Sequence, residues 1–222
     1  MSSEWTKVKQ AVVMAAQKMV SLELATGTSG NISARIHSQD ELGDLLALTP
    51  SGKPYVTLVD DDIVVSDFEV EPIEGDLVPS TESLLHVAIY RARPDVQAVI
   101  HTHSIFASVT AVAGLEIPPI VDETTITLGG PIKISDYAFP GTQNLADNVC
   151  KALGERKAAL IRNHGVVAVG RDLPEAVEIC MHVERVAQIF VYASLLGKVN
   201  VLPPDIVEAE ISIYEMLQPD GE

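Results

Sequence analysis

The tripeptide His101-Thr102-His103 closes the apolar run Val96-Gln97-Ala98-Val99-Ile100, and a third histidine, His164, follows a second such run at Ala158-Ala159-Leu160-Ile161. Residues i and i+2 of a strand face the same side of a sheet, so His101 and His103 can grip one ion together, with His164 completing the set from another strand. Three imidazoles leave at least one coordination position open, which separates a reactive metal site from a closed structural one. The pattern points to a metalloenzyme. The plainer alternative, polar histidines satisfied at strand ends, suits a lone histidine better than a pair with a third in a matching place. His37 reads as a loop residue, and His86 and His182 fall inside helical patterns where packing or surface roles suffice.

Three short polar segments can gather around one anion: Thr28-Ser29-Gly30-Asn31, Thr49-Pro50-Ser51-Gly52 and Ser80-Thr81. Each offers hydroxyls, an amide or exposed backbone N–H groups, and Ser80-Thr81 stand before an apolar helical run where the helix dipole favours negative charge. Together they make a phosphate cradle; singly, each is equally well a turn or a helix cap. Glu82 comes next in the chain. A carboxylate beside a divalent cation can serve as a fourth ligand at rest and as a general base once substrate displaces it, while its simpler role is a favourable helix-dipole contact. Lys53 and Lys133 lie in no apolar stretch that would depress an amine pKa, so surface roles are expected of them rather than Schiff-base chemistry.

These residues need elements to hold them. Apolar residues at helical spacing predict a helix over Trp5–Glu23, followed by the turn-rich Gly27–Asn31 and by strands at Ile32–Ile36, Leu45–Thr49 and Ile63–Ser66. Asp60-Asp61-Asp62 reads as a loop or helix start. A helix capped by Ser80-Thr81 ends before Pro94, and further helices are expected over Ser104–Val112, Leu145–Leu153, Pro174–Leu196 and Asp205–Leu217. Short strands are expected at Ile132–Ile134, Ala158–Ile161 and Val166–Val169. Helices interleaved with strands argue for a helix-covered sheet, and the tight joint between Ile32–Ile36 and Leu45–Thr49 makes that pair antiparallel, so the sheet is mixed.

The 222 residues suit a single domain over 1–222 with a substantial core. A net charge of −16 and the lack of any basic run argue against nucleic acid or an anionic membrane as partner, yet local N–H groups and a metal can still hold an anionic metabolite. Met1–Lys7 has no cleavable apolar segment, and no stretch reaches the roughly 20 apolar residues of a membrane span, so a soluble, cytoplasmic protein is expected. Cys150 and Cys180 both fall in helical patterns and are expected to be reduced core residues.

The combination of Gly27–Ser33, Leu48–Gly52, Pro79–Glu82, Val99–Ser104, Tyr137–Thr142 and Asn163-His164-Gly165 resembles the class II aldolase/adducin family from about Val8 to Gly197. The resemblance implies an α/β fold: a three-layer α-β-α arrangement with a central mixed, mostly antiparallel sheet, assembled as a homotetramer. It implies that His101, His103 and His164 bind Zn²⁺, or else Mn²⁺ or Co²⁺, with Glu82 as resting ligand and acid/base. Thr28, Gly30, Asn31, Ser51, Gly52, Ser80 and Thr81 match the phosphate-holding positions. The implied activity is reversible cleavage of a small phosphorylated ketose, like L-fuculose 1-phosphate, to dihydroxyacetone phosphate and an aldehyde, the metal stabilising an enediolate. A metal-dependent decarboxylase or dehydratase acting on a sugar-acid phosphate or ketose phosphate is the alternative. The adducin head domains lose the metal ligands, which this chain keeps. Where fuculose-phosphate aldolases carry a tyrosine upstream of the Gly-Gly pair, alignment on Gly129-Gly130 puts Glu123, resembling the acid/base of methylthioribulose-1-phosphate dehydratases. Tyr214 is a loose match to a second aldolase tyrosine.

Overall fold

The computed structural model describes residues 3–37 and 43–218. Met1 and Ser2 of the N-terminal stretch, and the outer ends of the expected 1–222 domain, lie outside the described residues. In chain order the elements are helix α1 (Ser3–Ser21), strands β1 (Asn31–Ile36), β2 (Leu45–Leu48), β3 (Val64–Ser66) and β4 (Pro72–Glu74), helix α2 (Ser83–Ala92), strand β5 (Ala98–Thr102), helices α3 (Ile105–Ala113) and α4 (Asp122–Leu128), strand β6 (Lys133–Ile134), helix α5 (Gln143–Leu153), strands β7 (Ala158–Ile161) and β8 (Gly165–Gly170), and helices α6 (Leu173–Leu195) and α7 (Pro204–Leu217). The eight strands form one sheet in the order β4-β3-β2-β1-β5-β8-β7-β6, with every neighbouring pair antiparallel except the parallel β6–β7.

The layering follows from two interleaved apolar patterns. On β2, Leu45 and Ala47 face one core and Leu46 and Leu48 the other; on β8, Val166 and Ala168 face the first and Val167 and Val169 the second. Because side chains alternate along a strand, an unbroken apolar run means both faces are covered. Val12 and Met19 of α1, Ala107 and Ala111 of α3, and Val183 and Ala187 of α6 fill the first core. Leu85 and Ile89 of α2 with Leu145, Val149 and Leu153 of α5 fill the second. The expected three-layer fold with a mixed, mostly antiparallel sheet is what the chain adopts. Cys180 sits in the first core and Cys150 against the second, so the sheet itself separates the two free thiols.

Three expectations on local structure are corrected. Helix α2 begins at Ser83 with Glu82 as its N-cap residue, not at Ser80-Thr81; the Ser80 hydroxyl instead accepts from the Glu82 N–H at 3.3 Å, and Ser83 Oγ donates to the Ser80 carbonyl. His164 lies in the turn between β7 and β8 rather than on a strand. The segment 122–128, for which no element was expected, is helical: Asp122 and Glu123 occupy its first turn and Gly129 ends it in the left-handed region at φ 80°.

Candidate metal centre

Strand β5 carries His101, and the chain leaves the sheet one residue later, placing His103 just past the strand end on the same side. Opposite them, β7 and β8 are joined by Arg162-Asn163-His164; Asn163 takes φ 57°, which its short polar side chain tolerates, and the His164 N–H closes the turn on the Ile161 carbonyl at 3.0 Å. Gly165 opens β8 against this corner. A Cβ there would stand 2.2 Å from the Thr102 carbonyl oxygen and 3.0 Å from His103 Cδ2, so only glycine lets the hairpin come this close. Gly30 does the same on the other side, at φ 77° with a virtual Cβ 2.3 Å from the His101 carbonyl oxygen.

The result is three imidazoles whose Nε2 atoms converge: His101 to His103 at 2.9 Å and His101 to His164 at 3.3 Å. Their candidate ligand atoms all lie within 4.8 Å of one another. His101 Nδ1 stands 2.9 Å from the Val166 carbonyl, which only accepts, so that nitrogen carries the proton and the Nε2 lone pair of a neutral ring is bare. Burial, with the neighbouring His164 and His103 rings adding to it, pushes the His101 pKa well below the ordinary imidazole value. Burial likewise lowers His103, with His164 contributing.

Glu82, 7 % exposed, closes the fourth side. Its Oε2 is 3.3 Å from His101 Nε2, and its Oε1 is 3.6 Å from His164 Nε2 and accepts no hydrogen bond among the described residues. A buried carboxylate and a bare ring nitrogen facing each other without a shared proton are a poor hydrogen-bonding group and a good cation-binding one. The donor set fits a divalent metal, with the carbonyl-anchored ring orientation expected of a ligating histidine.

The polar segments lie next to one another by backbone contact. Thr49 Oγ1 accepts from the Ile32 N–H at 3.1 Å, tying the second segment to the end of the first, while the Tyr55 hydroxyl donates to the Gly30 carbonyl at 2.7 Å. The Ser51 N–H donates to the Val78 carbonyl at 2.9 Å, and Pro50 bridges to Pro79, leading into Ser80-Thr81-Glu82. Thr28, Ser51, Gly52 and Thr81 are exposed, and Gly30 and Ser80 are half-buried. Asn31 differs from them. It is buried, its Nδ2 donates to Glu82 Oε2 at 2.9 Å and its Oδ1 faces His86, so its side chain serves the carboxylate first.

The chain matches the model of the "Class II Aldolase and Adducin N-terminal domain" over residues 10–191. The chain belongs to the class II aldolase and adducin family. Among relatives, this class II aldolase is 34% identical over 203 residues to 5-deoxy-D-ribulose 1-phosphate aldolase of Bacillus thuringiensis, covering 91% of this chain and 92% of that protein. It is 36% identical over 208 residues to 5-methylthioribulose-1-phosphate/5-deoxyribulose-1-phosphate aldolase of Rhodospirillum rubrum, covering 94% and 91%. A solved structure titled L-fuculose 1-phosphate aldolase superposes with a TM-score of 0.88 at 33% identity, covering 97% of this chain and 98% of that one. The enzyme is thus a carbon–carbon lyase of a metal-dependent class acting in carbohydrate metabolism, and its histidine cluster is the group of residues suited to that metal.

Glu123 stands elsewhere in this aldolase, half-exposed on α4, with Oε2 3.1 Å from Arg185 and Oε1 3.8 Å from His182, both on α6. Tyr214 is a buried residue of α7 whose ring lies against Gly129 and whose hydroxyl donates to the Glu155 carbonyl at 2.8 Å. Sequence reasoning missed Glu184. Its two oxygens accept from the N–H groups of Phe106 and Ala107 at 2.9 and 3.0 Å, capping α3 directly after His103-Ser104, where Ser104 makes no side-chain cap. A glutamate on the long helix α6 carries no local signal of that task.

Proposed function

We propose that this aldolase reversibly cleaves a small ketose 1-phosphate of the L-fuculose 1-phosphate or 5-deoxyribulose 1-phosphate kind to dihydroxyacetone phosphate and an aldehyde. The observation that carries the reading is Glu82 Oε1, a buried oxygen without a hydrogen-bond partner among the described residues, beside three converging imidazoles. Zn²⁺ is the proposed ion, with Mn²⁺ or Co²⁺ as substitutes, held by His101, His103 and His164 with Glu82 completing the set at rest. Bound there, it supplies Lewis-acid polarisation of the ketose carbonyl and offsets the charge that grows as the carbon–carbon bond breaks.

The remaining work belongs to side chains and backbone. In the synthetic direction the ionised Glu82 Oε1 removes a proton from the dihydroxyacetone phosphate carbon that will form the bond; in cleavage Glu82, having taken up a proton from solvent, returns one to that carbon and is left ionised. Thr28, Gly30, Ser51, Gly52, Ser80 and Thr81 hold the phosphate through hydroxyls and N–H groups, and the second N–H of Asn31 Nδ2 can join them. The phosphorylated end is common to the named substrates of the relatives; it is the half that becomes dihydroxyacetone phosphate. Glu123, delivered from a neighbouring copy, is proposed to manage the hydroxyl proton of the aldehyde half. That role requires an oligomer, and a homotetramer working in the cytoplasm is part of this reading. Exposed Ile105, Val109 and Val112 on α3 and Ile189 and Tyr192 on α6 suit burial against other copies. No helix among the described residues is long and apolar enough to cross a membrane.

The test is release of dihydroxyacetone phosphate from a panel of ketose 1-phosphates, measured by reduction in a coupled assay with Zn²⁺, Mn²⁺ or Co²⁺ added. Metal-dependent, chelator-sensitive release is expected. Carbon dioxide release, or turnover unchanged by chelation, would overturn the proposal.

A further inference from the structure

Behind Glu82 runs a buried chain of polar side chains, of which the proposed reaction uses only Asn31. Asn31 Nδ2 is 2.9 Å from Glu82 Oε2, His86 Nε2 is 2.5 Å from Asn31 Oδ1, Ser33 Oγ is 2.6 Å from His86 Nδ1, and the Tyr90 hydroxyl is 2.8 Å from Ser33 Oγ. Ser33, His86 and Tyr90 are each no more than 1 % exposed. Four polar side chains in a dry interior are costly unless every donor meets an acceptor, so their directions follow by elimination.

An ionised carboxylate only accepts, so the Asn31 amide turns its NH₂ to Glu82 and its oxygen to His86. That oxygen also only accepts, so His86 Nε2 carries the proton. In a neutral ring Nδ1 is then an acceptor, Ser33 donates to it, and Tyr90 donates to Ser33. Every member is satisfied in one arrangement only, and all the bonds point toward the carboxylate. The framework is rigid: Ser33 sits on β1, His86 and Tyr90 one turn apart on α2, and Glu82, the residue being held, is the N-cap of α2.

We infer that His86 is a positioning residue of the reaction: in its Nε2–H form it locks the Asn31 amide and so fixes the Glu82 carboxylate, Oε2 held and Oε1 free to exchange a proton. The inference rests on the reading of Glu82 as the proton-transfer group, but the lock itself is measurable without turnover.

The first measurement is the tautomer of His86 by long-range ¹H–¹⁵N NMR of the full chain, zinc-loaded and chelator-stripped, assigned by comparison with His86→Gln. A neutral Nε2–H ring in both samples is expected; an Nδ1–H ring or an imidazolium overturns the lock, whatever the enzyme acts on. The second is kinetic. His86→Leu is expected to lower kcat about 10–100-fold, the usual cost of losing an outer-shell partner. KM should stay within about twofold, since of the residues proposed to hold the phosphate only Asn31 borders His86. His86→Gln, which offers a donor and an acceptor at similar reach, recovers most of that loss. A folded, metal-loaded His86→Leu with unchanged kcat overturns the positioning role, and if that variant does not fold, the tautomer and the Gln variant decide. Failure of the functional reading looks different, as an Nε2–H ring in a protein that releases no dihydroxyacetone phosphate.

Discussion

The histidine corner and the phosphate loops lie side by side yet are built in opposite ways. At the corner, side chains do the work: the buried His101 ring is oriented by a carbonyl and a carboxylate, and two glycines let the backbones approach. In the loops the backbone does it. Ser51 and Val78, Thr49 and Ile32, and Tyr55 and Gly27 are tied by main-chain hydrogen bonds, while Thr28, Ser51 and Thr81 extend into solvent. A metal needs a few strong donors at fixed points, whereas a phosphate accepts many modest ones. The corner should therefore fail when one side chain is lost, and the loops should degrade gradually.

The largest expected effect tests the corner. His103→Ala should lose stoichiometric metal and activity together, by more than the about 100-fold typical of outer-shell losses; a loaded mutant by elemental analysis would contradict the ligand set. Glu82→Gln should keep the metal and lose about 10²–10⁴-fold in kcat, the range for a general acid–base group. Activity within a few-fold of the parent would remove Glu82 from the proton-transfer role.

Acid should also separate the two regions. Burial pushes His86 down to about 3, with the neighbouring His101 adding to it, whereas the unfolded chain carries that ring at the ordinary value of 6.5. Between those values the unfolded chain binds a proton that the fold refuses. Stability of the chelated protein should then fall as pH drops below about 6.5 and continue falling toward 3, by up to about 1.4 kcal/mol per pH unit for each such ring. Urea titrations from neutral pH downward measure the slope, and His86→Gln should flatten it by one proton. The smallest effect belongs to the loops: Ser51→Ala should raise KM about fivefold, on the order of 1 kcal/mol, with kcat unchanged. A collapse of activity in that variant would mean that the loops are as brittle as the corner.

The corner was the more legible region in the sequence, for a physical reason. His101 and His103 obey the two-residue period of a strand, and Glu82 is adjacent to a recognisable polar turn, so spacing alone brings out the donors. The sheet and its main helices were legible through the same periodicities. What escaped depends on tertiary partners. Helix α4 is a Thr-Thr-Ile-Thr run, β-branched and poor in helix propensity, and it is held by packing on α6 and α7. Strand β4 is three residues at the sheet edge starting at Pro72, too short to show alternation. Ser33, His86 and Tyr90 meet only because β1 and α2 are stacked, and nothing in their separate patterns announces it.

The unbroken apolar runs of the central strands carry one more consequence. Sliding β5 by one residue against β1 and β8 would bury aliphatic side chains almost as well, since both faces are greasy, yet it would put Ile100 or Thr102 where the His101 ring belongs. Hydrophobicity alone therefore does not proofread this alignment. Proofreading falls to the polar anchors at the strand's end, chiefly the grip of His101 on the Val166 carbonyl and the close passage of Gly30 and Gly165. Misaligned copies would be compact but catalytically silent, which makes catalytic competence and correct threading of β5 a single property of the chain.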